Sequence, residues 1–264
     1  MTKNSKTKIN LNQSAVLLTG GTSGIGLASA KALALAGVEK LMLVGRSVER
    51  GHAAVETVLA EVPDVDVRSY SADVTTPTGA CEAAEACHSA FGSIDVLVGT
   101  VGNAHMPKIL HKLPIEEIPP MLSAIINGAI LPPRAVLPFM MKQGHGSIMC
   151  VASDAAKLAT PGEVIIGAAM ASIVMFCRGL ANEAKRSGIR VNAITPSIVR
   201  GTPLYDQVMA DEFSAKMFAR AEQLADLGVA TADDLADLVV FLSSPASSLI
   251  TGQTISVTGG ISAI

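Results

Sequence analysis

The sequence has no tryptophan and few other aromatic residues, with Phe, Trp and Tyr together making up 3% of its 264 residues. An aromatic-rich core is therefore excluded, and the interior must be built from Ala, Val, Leu, Ile and Met. Charged residues make up 16% and hydrophobic residues 49% of the chain. Disorder is accordingly not expected beyond about the first dozen residues, and the composition suits helices packed closely on a parallel sheet.

Several kinds of site lack the residues that they need. The net charge of −3 is spread evenly, without the clustered Lys and Arg that bind nucleic acid. The four cysteines have no CxxC spacing, so we expect no metal site and reduced, mostly buried thiols in a cytoplasmic protein. The N-terminal segment has no apolar run typical of a secretory signal. The longest apolar run, 164–177, is shorter than the about 20 residues of a membrane span, so we expect a buried helix there and no membrane partner.

Apolar runs alternate with helical periodicity along the chain. This pattern predicts strands over 15–18, 40–44, 65–70, 94–98, 147–151, 190–194 and 254–257. It predicts helices over 24–36, 50–61, 78–91, 114–141, 164–186, 206–226 and 233–242, with 114–141 kinked or broken by its prolines. The alternation indicates an α/β fold, a Rossmann-type doubly wound parallel sheet in a three-layer α/β/α domain over 1–264. The segment over about 195–228 interrupts the alternation and is expected to cover a substrate as a lid.

A glycine-rich loop, TGGTSGIG over 19–26, follows the first predicted strand and opens the first predicted helix. Glycines allow a tight turn and a close approach to a pyrophosphate, and the helix N-terminus offers N–H groups to the phosphates. The spacing differs from GxGxxG, but the strand–loop–helix context predicts a dinucleotide site. The expected contacts are Gly20, Thr22, Ser23, Gly24, Ile25 and Gly26.

The loop resembles the TGxxxGIG element of the short-chain dehydrogenase/reductase family. Further stretches resemble that family in order and spacing: Ala72-Asp73-Val74, AIINGAI with Asn127, GSIMCVAS ending in Ser153, RVNAITPS over 190–197 and LITGQTISVTGG over 249–260. The resemblance covers nearly the whole chain. It implies an oxidoreductase with a nicotinamide dinucleotide cofactor, assembled as a homo-oligomer, either a dimer or a tetramer. It also implies catalytic roles for Ser153 and Asn127 and cofactor contacts from Asp73, Val74, Gly102, Pro196, Ile198 and Thr202.

The end of the second predicted strand bears on the choice of cofactor. It reads Val44-Gly45-Arg46-Ser47, where an acidic residue would repel a 2′-phosphate. A guanidinium and a hydroxyl suit that phosphate instead, which favours NADP over NAD. Arg46 and Ser47 are the expected contacts.

The Tyr and Lys that the family uses have no counterpart in this sequence. Counting from Ser153, their positions fall on Ile166 and Met170, and residues 160–177 contain no Tyr, Lys or His. These side chains cannot transfer a proton, so ordinary ketone reduction is disfavoured. Candidate substitutes at strand ends or in the lid are His105, Asp154, Lys157 and Tyr205. Glu163, at the start of the predicted helix that lacks the Tyr, is a further candidate acid, but a favourable charge at a helix N-terminus is the preferred interpretation.

Three hypotheses of function stay open. The first is a divergent oxidoreductase that transfers hydride to an enone, an enoyl thioester or another small apolar molecule, with the proton from water or a substitute residue. The second is a non-redox isomerase, dehydratase or cyclase, with the dinucleotide as a structural wall. The third is a non-catalytic dinucleotide-binding protein. Apolar lid residues predict an apolar substrate pocket: Met209, Phe213, Met217, Phe218 and Leu224.

Overall fold

One parallel sheet forms the centre of the molecule. The computed structural model describes residues 10–102 and 105–263, and the following statements concern those residues. The strands are β1 (Ala15–Thr19), β2 (Lys40–Gly45), β3 (Asp66–Ser71), β4 (Val96–Gly99), β5 (Gly146–Val151), β6 (Ile189–Pro196) and β7 (Thr254–Val257). Their order is β3-β2-β1-β4-β5-β6-β7, and each neighbouring pair is parallel.

Helices cover both faces of this sheet. They are α1 (Gly24–Leu35), α2 (Val48–Glu61), α3 (Pro77–Phe91), α4 (Ile118–Gln143), α5 (Val164–Ala184), α6 (Pro203–Ala210), α7 (Glu212–Glu222) and α8 (Ala232–Ser243). Helices α3, α4 and α5 share a core with Leu17, whereas α1, α2 and α8 share a core with Leu18. Consecutive strand side chains point to opposite faces, so the two cores lie on opposite sides of the sheet. The predicted three-layer, doubly wound fold is confirmed.

The direction in which the sheet grows reverses between β1 and β4. Thr19, the last residue of β1, is paired with Val44 of β2 on one side and Gly99 of β4 on the other. Beyond these carboxyl ends the connections go to opposite faces and leave a crevice. In parallel α/β sheets, ligands bind at such a switch point.

Helix α4 corrects the expectation of a break at its prolines. Pro132, Pro133 and Pro138 lie inside it, yet it continues unbroken from Ile118 to Gln143. A proline removes one backbone hydrogen bond and crowds the preceding turn. Here Pro132 and Pro133 are buried, and apolar packing against α3 and α5 offsets those losses.

The lid corrects a second expectation, because the single helix predicted over 206–226 is two helices. Asp211 separates α6 from α7 with an extended backbone. Its carboxylate accepts hydrogen bonds from the N–H of Ser214 at 2.8 Å and from its hydroxyl at 2.6 Å. This N-terminal cap fixes the start of α7.

Two helical stretches, 115–143 and 164–187, have the length and apolar composition of membrane spans. Residues of both stretches also pack in the hydrophobic core on one face of the sheet, as the helices of an α/β domain do. The helix predicted over 164–186 is present as α5, but only one of its faces is buried. Its other face exposes Val164 and Met175.

The cysteines are free thiols, and three of them are buried. Cys87, Cys150 and Cys177 lie in the core, whereas Cys81 is exposed. Burial raises the pKa of the Cys87 thiol to about 12, which keeps the thiol protonated and unreactive.

Candidate active site

Two adjoining cavities occupy the crevice at the carboxyl ends of the strands. The inner cavity, of about 260 Å³, is lined among others by Ser153, Glu163, Ile166, Met170, Pro196 and Tyr205. The outer cavity, of about 230 Å³, is lined among others by Gly20, Thr22, Arg46, Arg50, Asp73 and Val74. Ser23, Val101, Gly102 and His105 border both. The two cavities thus form one continuous site beside the switch point.

The glycine loop is packed too closely to hold side chains at two of its glycines. Gly20 has a φ of +74°, and a Cβ there would lie 2.8 Å from Thr100 Oγ1. A Cβ at Gly26 would collide with the carbonyl oxygen of Gly20. Ser23 precedes α1 without capping it through its side chain, and the first turn of α1 has no acidic residue. The N–H groups at this helix end therefore suit a pyrophosphate.

The outer cavity combines one carboxylate with two guanidinium groups. Hydrogen bonds from the Thr75 hydroxyl and N–H lower the pKa of Asp73, and the charge of Arg46 acts in the same direction. Ser71 donates a hydrogen bond to the Arg46 carbonyl at 3.1 Å. This bond fixes the backbone of Arg46 where β2 ends. Arg50 was not among the cofactor contacts expected from the sequence, but it lies in the first turn of α2 and lines the same cavity.

Three predicted site residues, Ser47, Asn127 and Gly26, do not line either cavity. The hydroxyl of Ser47 caps α2, accepting a hydrogen bond from the N–H of Arg50 at 3.2 Å. The side-chain amide of Asn127 donates to the Ser123 hydroxyl one helical turn earlier, at 3.1 Å. Ser47 and Asn127 thus have local roles in their helices. Gly26 supports the loop from beneath, and the remaining predicted cofactor contacts line the cavities.

The wall of the inner cavity beside Ser153 is apolar. The Ser153 hydroxyl oxygen accepts a hydrogen bond from the N–H of Ala155 at 3.2 Å, so its proton can be donated into the cavity. Ile166 and Met170 come from successive turns of α5 and are 4% and 7% exposed. No lysine lines this cavity among the described residues. The only lining tyrosine among them, Tyr205, donates its hydroxyl to Glu222 Oε1 at 3.1 Å.

Asp154 lies at the edge of the inner cavity, but its carboxylate is engaged elsewhere. One oxygen pairs with the Lys157 ammonium at 3.1 Å, and the other accepts a hydrogen bond from the Ser262 hydroxyl. Lys157 also donates to the hydroxyl of Ser256 on β7. The two residues therefore join the segment after β5 to β7 and to the chain beyond it. This geometry favours a structural role over proton transfer.

The lid supplies a different apolar surface from the one predicted. Of the five apolar residues named from the sequence, only Phe218 lines the inner cavity. Phe213 instead covers Gly162, with a ring carbon 2.8 Å from where a Cβ would stand. The lid residues that line the cavity come mainly from α6 and the turn before it: Ile198, Val199, Thr202, Pro203, Leu204, Tyr205 and Val208.

Glu163 belongs to the cavity wall, which its position in the sequence did not indicate. It directly precedes α5, yet its side chain does not cap the helix. Burial raises the pKa of the Glu163 carboxyl, while a hydrogen bond with Thr160 acts in the opposite direction. The positive end of the helix dipole would instead lower the pKa of a carboxyl at this position. Desolvation is therefore the dominant influence on this carboxyl.

Comparisons with known proteins agree with this geometry. A family model described as enoyl-(acyl carrier protein) reductase matches residues 20–262. The chain is 30% identical over 251 residues to 2-(R)-hydroxypropyl-CoM dehydrogenase of Xanthobacter autotrophicus, an alignment that covers 94% of this chain and 98% of that protein.

Solved structures give the same result. Levodione reductase superimposes with a TM-score of 0.88 at 30% identity, covering 94% of this chain and 97% of its own. A short-chain oxidoreductase of Pseudomonas aeruginosa, solved with NADPH and described as containing an atypical catalytic center, has a TM-score of 0.87 at 29% identity. That alignment covers 97% of this chain and 99% of the other.

Proposed function

The chain belongs to the short-chain dehydrogenase/reductase family, and we propose that it is an NADP(H)-dependent oxidoreductase that works without the family's Tyr and Lys. We further propose that its substrate is a small apolar enone or enoyl-type compound. The observation that carries this proposal is the composition of one wall. Ile166 and Met170 are buried and line the inner cavity together with Ser153, at the positions where the family's proton-transferring pair is expected.

The residues present fit the dinucleotide along the whole crevice. The Gly20–Gly26 turn and the start of α1 suit the pyrophosphate, and Asp73 of the outer cavity suits the adenine end. Similar folds have been solved with NADPH and with NAD+, so the preference for NADP rests on this chain's own charges. Two guanidinium groups, from Arg46 and Arg50, line the cavity in which a 2′-phosphate would lie.

The substrate class follows from the apolar side chains at the positions of the family's proton-transferring pair, Ile166 and Met170. When bound, the reduced dinucleotide supplies hydride. Ketone reduction requires a proton at oxygen in the same step, whereas conjugate reduction gives an enolate that can be protonated afterwards. Ser153 can hold the carbonyl oxygen through its hydroxyl, and Ile166, Met170 and Val208 provide apolar surface to the carbon skeleton.

A two-stage experiment tests this function. NADPH binding is measured by nucleotide fluorescence, and NADPH oxidation is then followed with 2-cyclohexen-1-one, a crotonyl thioester and ethyl acetoacetate. We expect binding, turnover of the two conjugated compounds and little turnover of the ketoester. Binding without oxidation of NADPH by any compound would favour a non-redox or non-catalytic protein. Fast reduction of the ketoester alone would contradict the proposal.

We also propose a localisation, a set of partners and an oligomeric state for this protein. We expect a cytoplasmic protein without a nucleic-acid or membrane partner, assembled as a dimer or a tetramer. The exposed apolar residues of α5, Val164 and Met175, support a contact between copies. Light scattering coupled to size-exclusion chromatography measures the number of chains directly, and a monomer at micromolar concentration would contradict this part.

A further inference from the structure

Two carboxyl groups among the described residues line the inner cavity, those of Asp154 and Glu163, and Glu163 directly precedes α5. Glu163 precedes Ile166 by three residues, and the N–H of Gly167 donates to the Glu163 carbonyl at 2.6 Å. The helical hydrogen-bond pattern thus extends back to Glu163. Residues three apart on a helix share a face, so Glu163 lies about one turn before Ile166 on the face that borders the cavity.

The turn that carries Glu163 is packed by two distant segments of the chain. The loop after β4 is held against the turn before α5, because the N–H of Lys108 donates to the Gly162 carbonyl at 2.8 Å. Pro107 and the Phe213 ring pack on Gly162. Gly162 is buried under these groups, and the pKa of the neighbouring Glu163 carboxyl is raised by burial and is not lowered by any cation.

The other titratable groups of the cavity are less suited to give a proton. Asp154 is held by Lys157 and Ser262, and the Tyr205 hydroxyl is turned to Glu222 in the lid. His105 borders the outer cavity as well, which places it along the path of the dinucleotide.

We propose that Glu163 is the proton donor of the inner cavity, in place of the family's tyrosine. This inference rests on the proposed function. Glu163 gives its carboxyl proton to the α carbon of the enolate left when the β carbon has accepted hydride from the reduced dinucleotide. The products are the saturated carbonyl compound, the oxidised dinucleotide and a Glu163 carboxylate, which regains its proton from solvent.

The raised pKa supports this role. A desolvated carboxyl stays protonated to higher pH than an exposed glutamic acid, which is the state that a general acid needs near neutrality. We therefore expect kcat/KM for enone reduction to fall as pH rises through the pKa of Glu163. His105, Asp154 and Tyr205 are the other titratable groups facing the cavity, and the experiment must separate their titration from that of Glu163.

The test compares Glu163→Gln with Glu183→Gln, the same change at an exposed position of α5. The probes are NADPH and 2-cyclohexen-1-one. In Glu163→Gln we expect kcat to fall about 100-fold or more, the size of a general-acid contribution, and the fall of kcat/KM at high pH to disappear. Glu163→Asp should retain that pH dependence at a reduced rate, and Glu183→Gln should match the wild type.

A second measurement does not depend on turnover. Carbon NMR of glutamate-labelled protein with NADP bound should show one side-chain carboxyl that titrates at higher pH than the others and vanishes in Glu163→Gln only. An active Glu163→Gln with the wild-type pH profile overturns this inference and leaves the proposed function intact. Loss of the pH dependence in His105→Ala but not in Glu163→Gln would also overturn this inference and leave the proposed function intact. A wild type that oxidises no NADPH overturns both.

Discussion

Substitution of the guanidinium groups of the outer cavity gives the most direct test of cofactor choice. Arg46 is exposed where β2 ends, and its charge reaches Asp73 across the cavity. A charge-assisted hydrogen bond to a phosphate contributes about 1.5–3 kcal/mol. Solvent and salt screen an exposed group, so we take the lower figure, about 1.5 kcal/mol. Because about 1.4 kcal/mol corresponds to a tenfold change, Arg46→Ala should weaken NADPH binding about tenfold.

Arg50 is expected to contribute to NADPH binding as well. Arg50 lines the same cavity from α2, and its loss should add a similar factor, so the double variant should bind NADPH about 100-fold more weakly. NADH lacks the 2′-phosphate, and its dissociation constant should change less than about threefold. Both constants are measured by nucleotide fluorescence at low and high salt. The NADPH effect should shrink as salt rises.

A matched control is available on α4. Arg134 is exposed and lines neither cavity, so Arg134→Ala should leave both dissociation constants unchanged. If Arg46→Ala weakens NADPH and NADH equally, the guanidinium supports the shape of the site instead of binding a phosphate. If NADPH binding does not change at all, the preference for NADP loses its physical basis.

Three further predictions concern the core and the catalytic wall. The double substitution Ile166→Tyr with Met170→Lys should create measurable ketoester reduction; a folded, NADPH-binding variant without it would show that these positions are not those of the family's pair. Asp95→Ala should lower the free energy of unfolding, measured in urea, by roughly 3 kcal/mol. The buried Asp95 carboxylate accepts hydrogen bonds from the Ala15 N–H, the Ser93 hydroxyl and the His145 ring. A loss below about 1 kcal/mol would contradict this prediction. The folded wild type binds the Glu163 proton more tightly than the unfolded chain does, so the wild type should lose stability as pH rises above about 4.5. Glu163→Gln has no such proton and should become more stable relative to the wild type over the same range. Parallel stability profiles of the two proteins from about pH 4 to 8 would refute this.

Most of the fold could be predicted because each strand and helix satisfies its own local rules. The residues of β1, β2, β4, β5 and β6 are mostly buried and mostly apolar. The glycine loop directly follows a strand and opens a helix. The errors arose where two local rules compete. Pro132 and Pro133 indicate a helix end, but their burial, in a helix that packs against α3 and α5, overrides that preference. Asp211 could have been recognised, since an Asp three residues before a serine is a capping pattern.

The candidate site was harder to predict, because cavity walls are made by residues that are far apart in sequence. Arg50 reaches the outer cavity only because α2 begins at Val48 and turns its first residues towards the end of β2. Met209 and Phe213 have the apolar character of pocket residues, but the break at Asp211 turns α7 so that Phe213 lies over Gly162. Helix periodicity gives the relative positions of residues within one helix and does not give the orientation of that helix to its neighbours.

The direction of the pKa shift of Glu163 could not be predicted from the sequence either. In the sequence, an acidic residue before a long helix is adequately explained by the helix dipole, and this predicts a lowered pKa. The structure reverses the direction, because Pro107 and Phe213 come from two distant segments and close over the adjacent Gly162. Desolvation depends on tertiary contacts, which the sequence around Glu163 does not show. Removing the ring with Phe213→Ala should therefore bring the pKa of Glu163 closer to that of an exposed glutamate. Carbon NMR of the labelled carboxyl would measure that shift, and an unchanged pKa would show that water is excluded by other contacts.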